Sequence, residues 1–139
     1  GFRTRGRFCD RFTGGLRPDR PLARGRVPAA RYAAGQHVLV SRRGLDKGPI
    51  DTALQAQGLT RDIAVIVAGF ADALALARGS DLIASVPERH TANLRAGMHG
   101  FALPVQAPAI TISMLWHPRM DADPAHRWLR ECVRQVCAD

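Results

Sequence analysis

Residues 62–89 (DIAVIVAGFADALALARGSDLIASVPER) constrain the fold more than any other stretch of this chain. Ile63, Val65, Ile66 and Val67 form a β-branched run of the kind expected from a strand buried on both faces. Gly69 interrupts the run. Phe70, Leu74 and Leu76, padded with alanines, then read as a compact helix that Gly79 ends. Leu82, Ile83 and Val86 make a second strand, stopped by Pro87. Strand, helix and strand in so few residues define a βαβ unit, whose strands should be parallel with a right-handed crossover. The turn at Ala68-Gly69-Phe70 and the turn at Val86-Pro87-Glu88 then share one edge of the sheet. In open α/β sheets that edge is where ligands bind.

The rest of the chain extends the alternation. Phe8 and Phe12 predict a strand within 7–17, with a bulge or bend at Gly14-Gly15. Pro18 and Pro21 mark a turn, and Pro28 opens a short helix ended by Gly35. His37 to Ser41 reads as a buried strand. Pro49 then starts a helix with Ile50, Ala53, Leu54 and Gln57 at helical spacing, closed by Gly58. Glu88 to Ala96 predicts a short helix with Leu94 inward, and Phe101 to Val105 a strand that Pro104 marks as an edge. Ile110 to His117 alternates cleanly. Asp123 as N-cap and Pro124 at the first helical position start a last helix. Its apolar stripe is Trp128, Leu129, Cys132, Val133 and Val136. The class is α/β, a mostly parallel βαβ sheet flanked by helices. Trp116 and Trp128 are expected to pack between the last strand and the last helix.

Composition narrows the partners. At 139 residues the chain has length for one domain, and no run approaches the roughly 20 apolar residues of a membrane span. No leader with a cleavage site is visible, and Cys9, Cys132 and Cys137 lack metal or redox spacing, so reduced thiols and a cytoplasmic location are expected. The net charge of +8 rests on 19 arginines and one lysine beside many alanines, a bias that a GC-rich gene also produces. The arginines crowd the first quarter, where Phe2, Phe8 and Phe12 would serve as stacking platforms in a basic nucleic-acid-binding module. That is the alternative reading.

Catalytic patterns are poor. Ser41, Ser85 and Ser113 lie in no GxSxG elbow, and the cysteines have no evident partner base. GLDKG at 44–48 lacks the ending of a phosphate loop, and the histidines have no metal-ligand spacing. No enzyme, cofactor or metal is expected. The parallel-strand edge offers more. Helix N-termini there favour anions, with one candidate at the 69–72 turn. The other is Ser41-Arg42-Arg43, where a hydroxyl and guanidinium groups suit a carboxylate. Phe70 would supply an apolar wall.

Taken together, HVLVSRRG, DIAVIVAGFADALALARGSDLIASVPER and MLWHPRMDADPAHRWLRECV resemble the C-terminal effector-binding domain of LysR-type transcriptional regulators. The likeness runs from about Phe8 to Val136, with the segments in order. It implies a periplasmic-binding-protein type II-like fold with a small molecule held between two lobes. Residues 18–105 would be the second lobe. Residues 7–17 would cross between lobes, and 106–139 would carry the crossing back and the final strand and helix of an incomplete, N-terminally truncated first lobe. Carried over from the family, the effector-binding positions are Ser41, Arg42, Gly69, Phe70, Val86 and Pro87, and a small organic acid is the expected effector. The resemblance further implies a homo-oligomer, with DNA contacted only through a winged helix-turn-helix domain absent from this chain.

Overall fold

The computed structural model describes residues 3–107 and 110–137, with side chains described from 10 to 107 and from 117 to 135. In chain order the elements are β1 (Arg3–Asp10), β2 (Phe12–Leu16), a 3-10 turn (Pro21–Ala23), α1 (Ala29–Ala33), β3 (Gln36–Val40), α2 (Pro49–Gln55) and β4 (Asp62–Val67). They continue with α3 (Phe70–Arg78), β5 (Ile83–Pro87), a 3-10 turn (Ala92–Arg95), β6 (His99–Ala102), β7 (Ile110–Trp116), a 3-10 turn (Pro118–Met120) and α4 (Pro124–Cys137). They divide into two compact units, Arg11–Ala109 and Gly1–Asp10 with Ile110–Asp139.

The larger unit is built on a five-stranded sheet in the order β4-β3-β5-β2-β6. β3 runs parallel to both β4 and β5, while β2 is antiparallel to β5 and to β6. Alternation along each strand sorts side chains to two faces, and each face meets its own helices. Leu16 and Ile83 face a cluster with Leu22, Val27, Tyr32, Ala33, Ile50, Leu54 and Val105, under α1 and α2. Val38, Ala84 and Val86 face α3 through Ala73, Leu74 and Ala77. All five residues of β5 are buried, as befits a strand covered on both sides.

The run expected to be buried on both faces behaves otherwise. β4 is an edge strand whose residues alternate between exposed and half-buried, and Ile66 is 40% exposed. The βαβ unit of β4, α3 and β5 exists, but β3 lies between its two strands. β3 therefore takes the central burial that β4's composition suggested. A β-branched run reports fitness for a pleated surface, not a place in the strand order.

Residues 88–96 also depart from expectation. They form turns and one 3-10 turn instead of an α-helix, and Leu94 is exposed. Guanidinium groups bond carbonyls along this stretch, of which only Glu88 O would have been used within a helix over 88–96. Arg95 Nη2 donates to Glu88 O, and Arg78 donates to Leu94 O and Ala96 O, both at 2.7 Å. The strand placed at 101–105 is instead His99–Ala102, which leaves Pro104 outside it. Residues 12–16, read as part of a crossing strand, lie inside the sheet between β5 and β6.

Gly14 and Gly15 form no bulge, since their pairing with Ser85, Ala84, Phe101 and Gly100 is continuous. Gly14 is instead a close-approach position. A Cβ there would fall inside the ring of Phe101, its partner across the β2–β6 pair. Gly14→Ala is accordingly expected to destabilise the domain by about 1–3 kcal/mol through forced repacking of Phe101. Glycine to alanine at an unobstructed site would do the reverse. A urea midpoint equal to or above that of the parent would show that the ring moves aside freely.

In the smaller unit β1 pairs antiparallel with β7, with an irregularity between Arg5 and Arg7. α4 begins as its cap predicts, Asp123 Oδ2 accepting the His126 N–H at 2.8 Å. Its apolar stripe is not buried. Trp128 is 69% exposed, and Leu129 and Val133 are exposed as well. Among the described residues none covers that face of α4, so the expected packing of Trp128 is not made by them. Trp116, Val136 and the stacking roles of Phe2 and Phe8 lie outside the described side chains.

Candidate functional site

The three parallel strands end together. Val40 pairs with Val67, and the Ser41 N–H continues the ladder by donating to Val67 O at 2.8 Å. β5, in parallel register with β3 on its other side, ends at Pro87. The antiparallel partner β2 brings Phe12 opposite Pro87 and Thr13 opposite Val86. One edge of the sheet therefore collects Ser41 and Arg42, Gly69 and Phe70, and Val86 and Pro87.

Their surroundings differ. Ser41 Oγ accepts the Leu45 N–H at 2.9 Å, and Ser41 O accepts the Gly44 N–H, so the serine shapes the loop that follows β3. Gly44 completes that loop at φ +67°, where a side chain would be strained. Arg42 is exposed. Gly69 caps α3 in extended conformation, its carbonyl accepting the Ala73 N–H. A Cβ at Gly69 would meet only Asp72 Oδ2, at an ordinary 3.6 Å, so α3 does not require glycine there for space. Phe70 is half-buried against the α3-side core. Val86 and Pro87 are fully buried, which leaves their backbone, and not their side chains, to face the rim.

A polar network that no motif in the chain announces joins α1, α2 and the sheet. Arg61, whose side chain is 1% exposed, grips Asp51 with two donors, Nε to Oδ1 at 2.8 Å and Nη2 to Oδ2 at 3.1 Å. Its Nη1 donates to the Tyr32 hydroxyl at 3.2 Å, which in turn meets Ser85 Oγ at 2.6 Å. Asp51 Oδ2 also accepts the Gly48 N–H at 2.8 Å, capping α2. Burial alone would raise the Asp51 carboxyl, but the Arg61 and Gly48 donors and the Arg61 charge outweigh it and hold the group below the usual range. Burial pushes the Tyr32 phenol up against the opposing charge of Arg61.

His37 completes the cluster. Its Nε2 lies 2.7 Å from Tyr32 O, and a carbonyl can only accept, so Nε2 carries the proton. Nδ1 is buried and has no partner among the described residues. A proton added there would be a charged donor with nothing to donate to. Burial, aided by the Arg61 charge, accordingly holds the imidazole down at about 4, despite the Tyr32 carbonyl pulling the other way. Among the described residues, no three His, Cys, Asp or Glu side chains are grouped to hold a metal ion.

A cavity of about 430 Å³ opens at the same edge, one strand further along than the six expected positions. Its lining includes Thr13, Glu88, Arg95, Gly100 and Ala102 and none of those six. No pattern in the chain pointed to it. A cue was present in Thr91 and Arg95, four residues apart, but it gains meaning only once the turn geometry is known.

A twisted α/β sheet with helices on both faces and polar loops at the carboxyl ends of its parallel strands defines a ligand-binding domain of the open α/β class. The chain matches the LysR substrate binding domain over residues 8–138, and it belongs to that family. It is 32% identical over 125 residues to the transcriptional activator NahR of Pseudomonas putida, covering 88% of this chain and 42% of NahR. To the activator NagR of a Ralstonia species it is 29% identical over 141 residues, covering 100% and 47%. The chain thus spans less than half the length of either relative. In structure it is similar to the regulatory domain of MexT from Pseudomonas aeruginosa, with a TM-score of 0.73 at 27% identity, over 96% of this chain and 65% of that one.

Proposed function

We propose that this chain is the small-molecule effector-sensing domain of a bacterial LysR-type transcriptional regulator, acting in the cytoplasm. Its effector is a small organic acid, bound at the edge formed by Ser41, Arg42, Gly69, Phe70, Val86 and Pro87. The observation that carries this reading is the shared ending of β3, β4 and β5, which gathers residues from three separate loops at one rim. Arg42 supplies charge, Phe70 an apolar wall, and the remaining positions offer backbone groups and space. Binding there shifts the population of regulator conformations, and so the DNA geometry of an attached reader domain. Residues 11–109 act as one lobe of the sensor, and 1–10 with 110–139 contribute to the other.

A thermal-shift screen of small organic acids tests the assignment. A ligand at 100 times its Kd stabilises the folded state by about 2.7 kcal/mol, a rise in Tm of several degrees for a domain of this size. Arg42→Ala and Phe70→Ala should abolish that rise while leaving the unliganded Tm nearly unchanged for the exposed arginine. A screen without a saturable response, or one indifferent to both substitutions, removes the rim from consideration.

The regulator works as a homo-oligomer. The support is the exposed stripe of Trp128, Leu129 and Val133 on α4, since contiguous apolar surface of that kind marks association. Light scattering at high concentration should give a mass above one 15.1 kDa chain. A monomer mass throughout would contradict it.

A further inference from the structure

The geometry points to a second anion site, separate from the rim, that takes a small flat monocarboxylate on Arg95 in the cavity at the β2–β6 end of the sheet. Arg95 is held from behind. Its Nε donates to Thr91 Oγ1 at 3.2 Å, and its Nη2 donates to Glu88 O. Thr91 is itself fully buried and anchored, its hydroxyl donating to Pro87 O at 2.6 Å. The guanidinium plane is therefore fixed by the end of β5 before any ligand arrives, which removes most of the ordering cost of binding.

Both partners of Arg95 are neutral, a hydroxyl and a carbonyl, so its positive charge is unmatched by them. The other cation in the lining, Arg11, is paired with the Glu88 carboxylate at 3.1 Å. Nη1 of Arg95, bonded to no described residue, stands over Gly100, 3.6 Å from where a Cβ would be. The Nη1–Nη2 edge thus offers parallel N–H donors to the cavity, the geometry that a carboxylate accepts two-fold. Arg11 and Glu88 offset one another in the same lining, so Arg95 contributes the net positive charge there, which a single negative charge matches. Antiparallel pairing sets Thr13 beside Ala102 and Gly15 beside Gly100, so small residues lie beneath Arg95, and Phe12 and Phe101 also line the cavity. Such a floor suits a planar ligand body, and about 430 Å³ lies within the range of small-molecule sites.

Titration of the full chain with benzoate, followed by amide chemical shifts, tests the site. The amides of Thr13, Arg95, Gly100 and Ala102 should shift together and saturate. Benzamide, which has nearly the same shape without the charge, should bind at least roughly tenfold more weakly. Arg95→Lys keeps the charge, loses the fork, and should weaken benzoate by a similar factor. If Arg95→Lys perturbs the turn, Gly100→Val provides the independent arm. It fills the floor from an exposed strand position, and should block benzoate while the other amides keep their places. Absence of saturable shifts at these four amides overturns the site, as does a Gly100→Val variant with undiminished affinity. Shifts confined to 41–45 and 68–72 overturn it too, while supporting binding at the rim, so the two assignments fail separately.

Discussion

Arg61→Met is expected to lower the stability of the domain by about 3–5 kcal/mol, the cost of leaving one half of a buried ion pair without the other. Arg61 is shielded from water, and the Asp51 side chain is 14% exposed. Removing the guanidinium takes both donors from that carboxylate and the Nη1 donor from the Tyr32 hydroxyl. The remaining charge must then sit half-desolvated beside Tyr32, or become protonated at neutral pH. Either outcome costs free energy. Urea denaturation provides the measurement, with the midpoint compared at constant m. The double variant Arg61→Met with Asp51→Leu should recover most of the loss, because an apolar pair avoids the desolvation penalty. A shortfall of roughly 1 kcal/mol is expected to remain from the lost cap on the Gly48 N–H. A single variant that loses less than about 1 kcal/mol would mean that water reaches Asp51 readily, and that the network is ornamental to the fold.

The second large effect is on acid sensitivity, and His37 sets its sign. In the unfolded chain the imidazole takes up a proton near pH 6.5, whereas in the folded domain it resists until about pH 4. Between those values the unfolded state binds more protons, so stability rises with pH across the window and falls as the solution is acidified from 6.5 towards 4. The gap corresponds to about 3 kcal/mol at full extent, after which the contribution from His37 levels off below pH 4. Asp51 acts lower on the scale. Its carboxyl is held below its ordinary value, so the stability it provides is lost only as the pH falls beneath the unfolded carboxylate range. His37→Gln can still donate to Tyr32 O but does not titrate. Its stability curve should be flat, relative to the parent, between pH 6.5 and 4. Parallel curves for parent and variant would place the acid sensitivity elsewhere.

These two effects come from residues that sequence patterns treat as ordinary. His37 opens a buried strand, and Arg61 sits in the connection before β4. Neither position carries a motif, and although Tyr32 precedes His37 by five residues, Ser85 is far from both in the chain. They meet because β3 lies between β4 and β5, which brings α1, the start of α2 and the centre of β5 over one spot on the sheet. Contacts of that kind span up to 53 residues of chain, and local periodicity holds no record of them.

The amino-acid sequence by itself determined the α/β class, the parallel βαβ unit, the Asp123 cap of α4 and the gathering of Ser41, Gly69 and Pro87 at one edge. All of these follow from local rules: side-chain alternation, turn residues and the handedness of the crossover. Tertiary structure alone decided that β4 is an edge strand and β5 the buried one, that Gly14 makes room for Phe101, and that 88–96 forms turns held by Arg78 and Arg95. It also decided that Trp128 lies open on α4. Burial is a property of neighbours. A strand's composition states that it can be covered, but only strand order and the packing of distant segments settle which strand is.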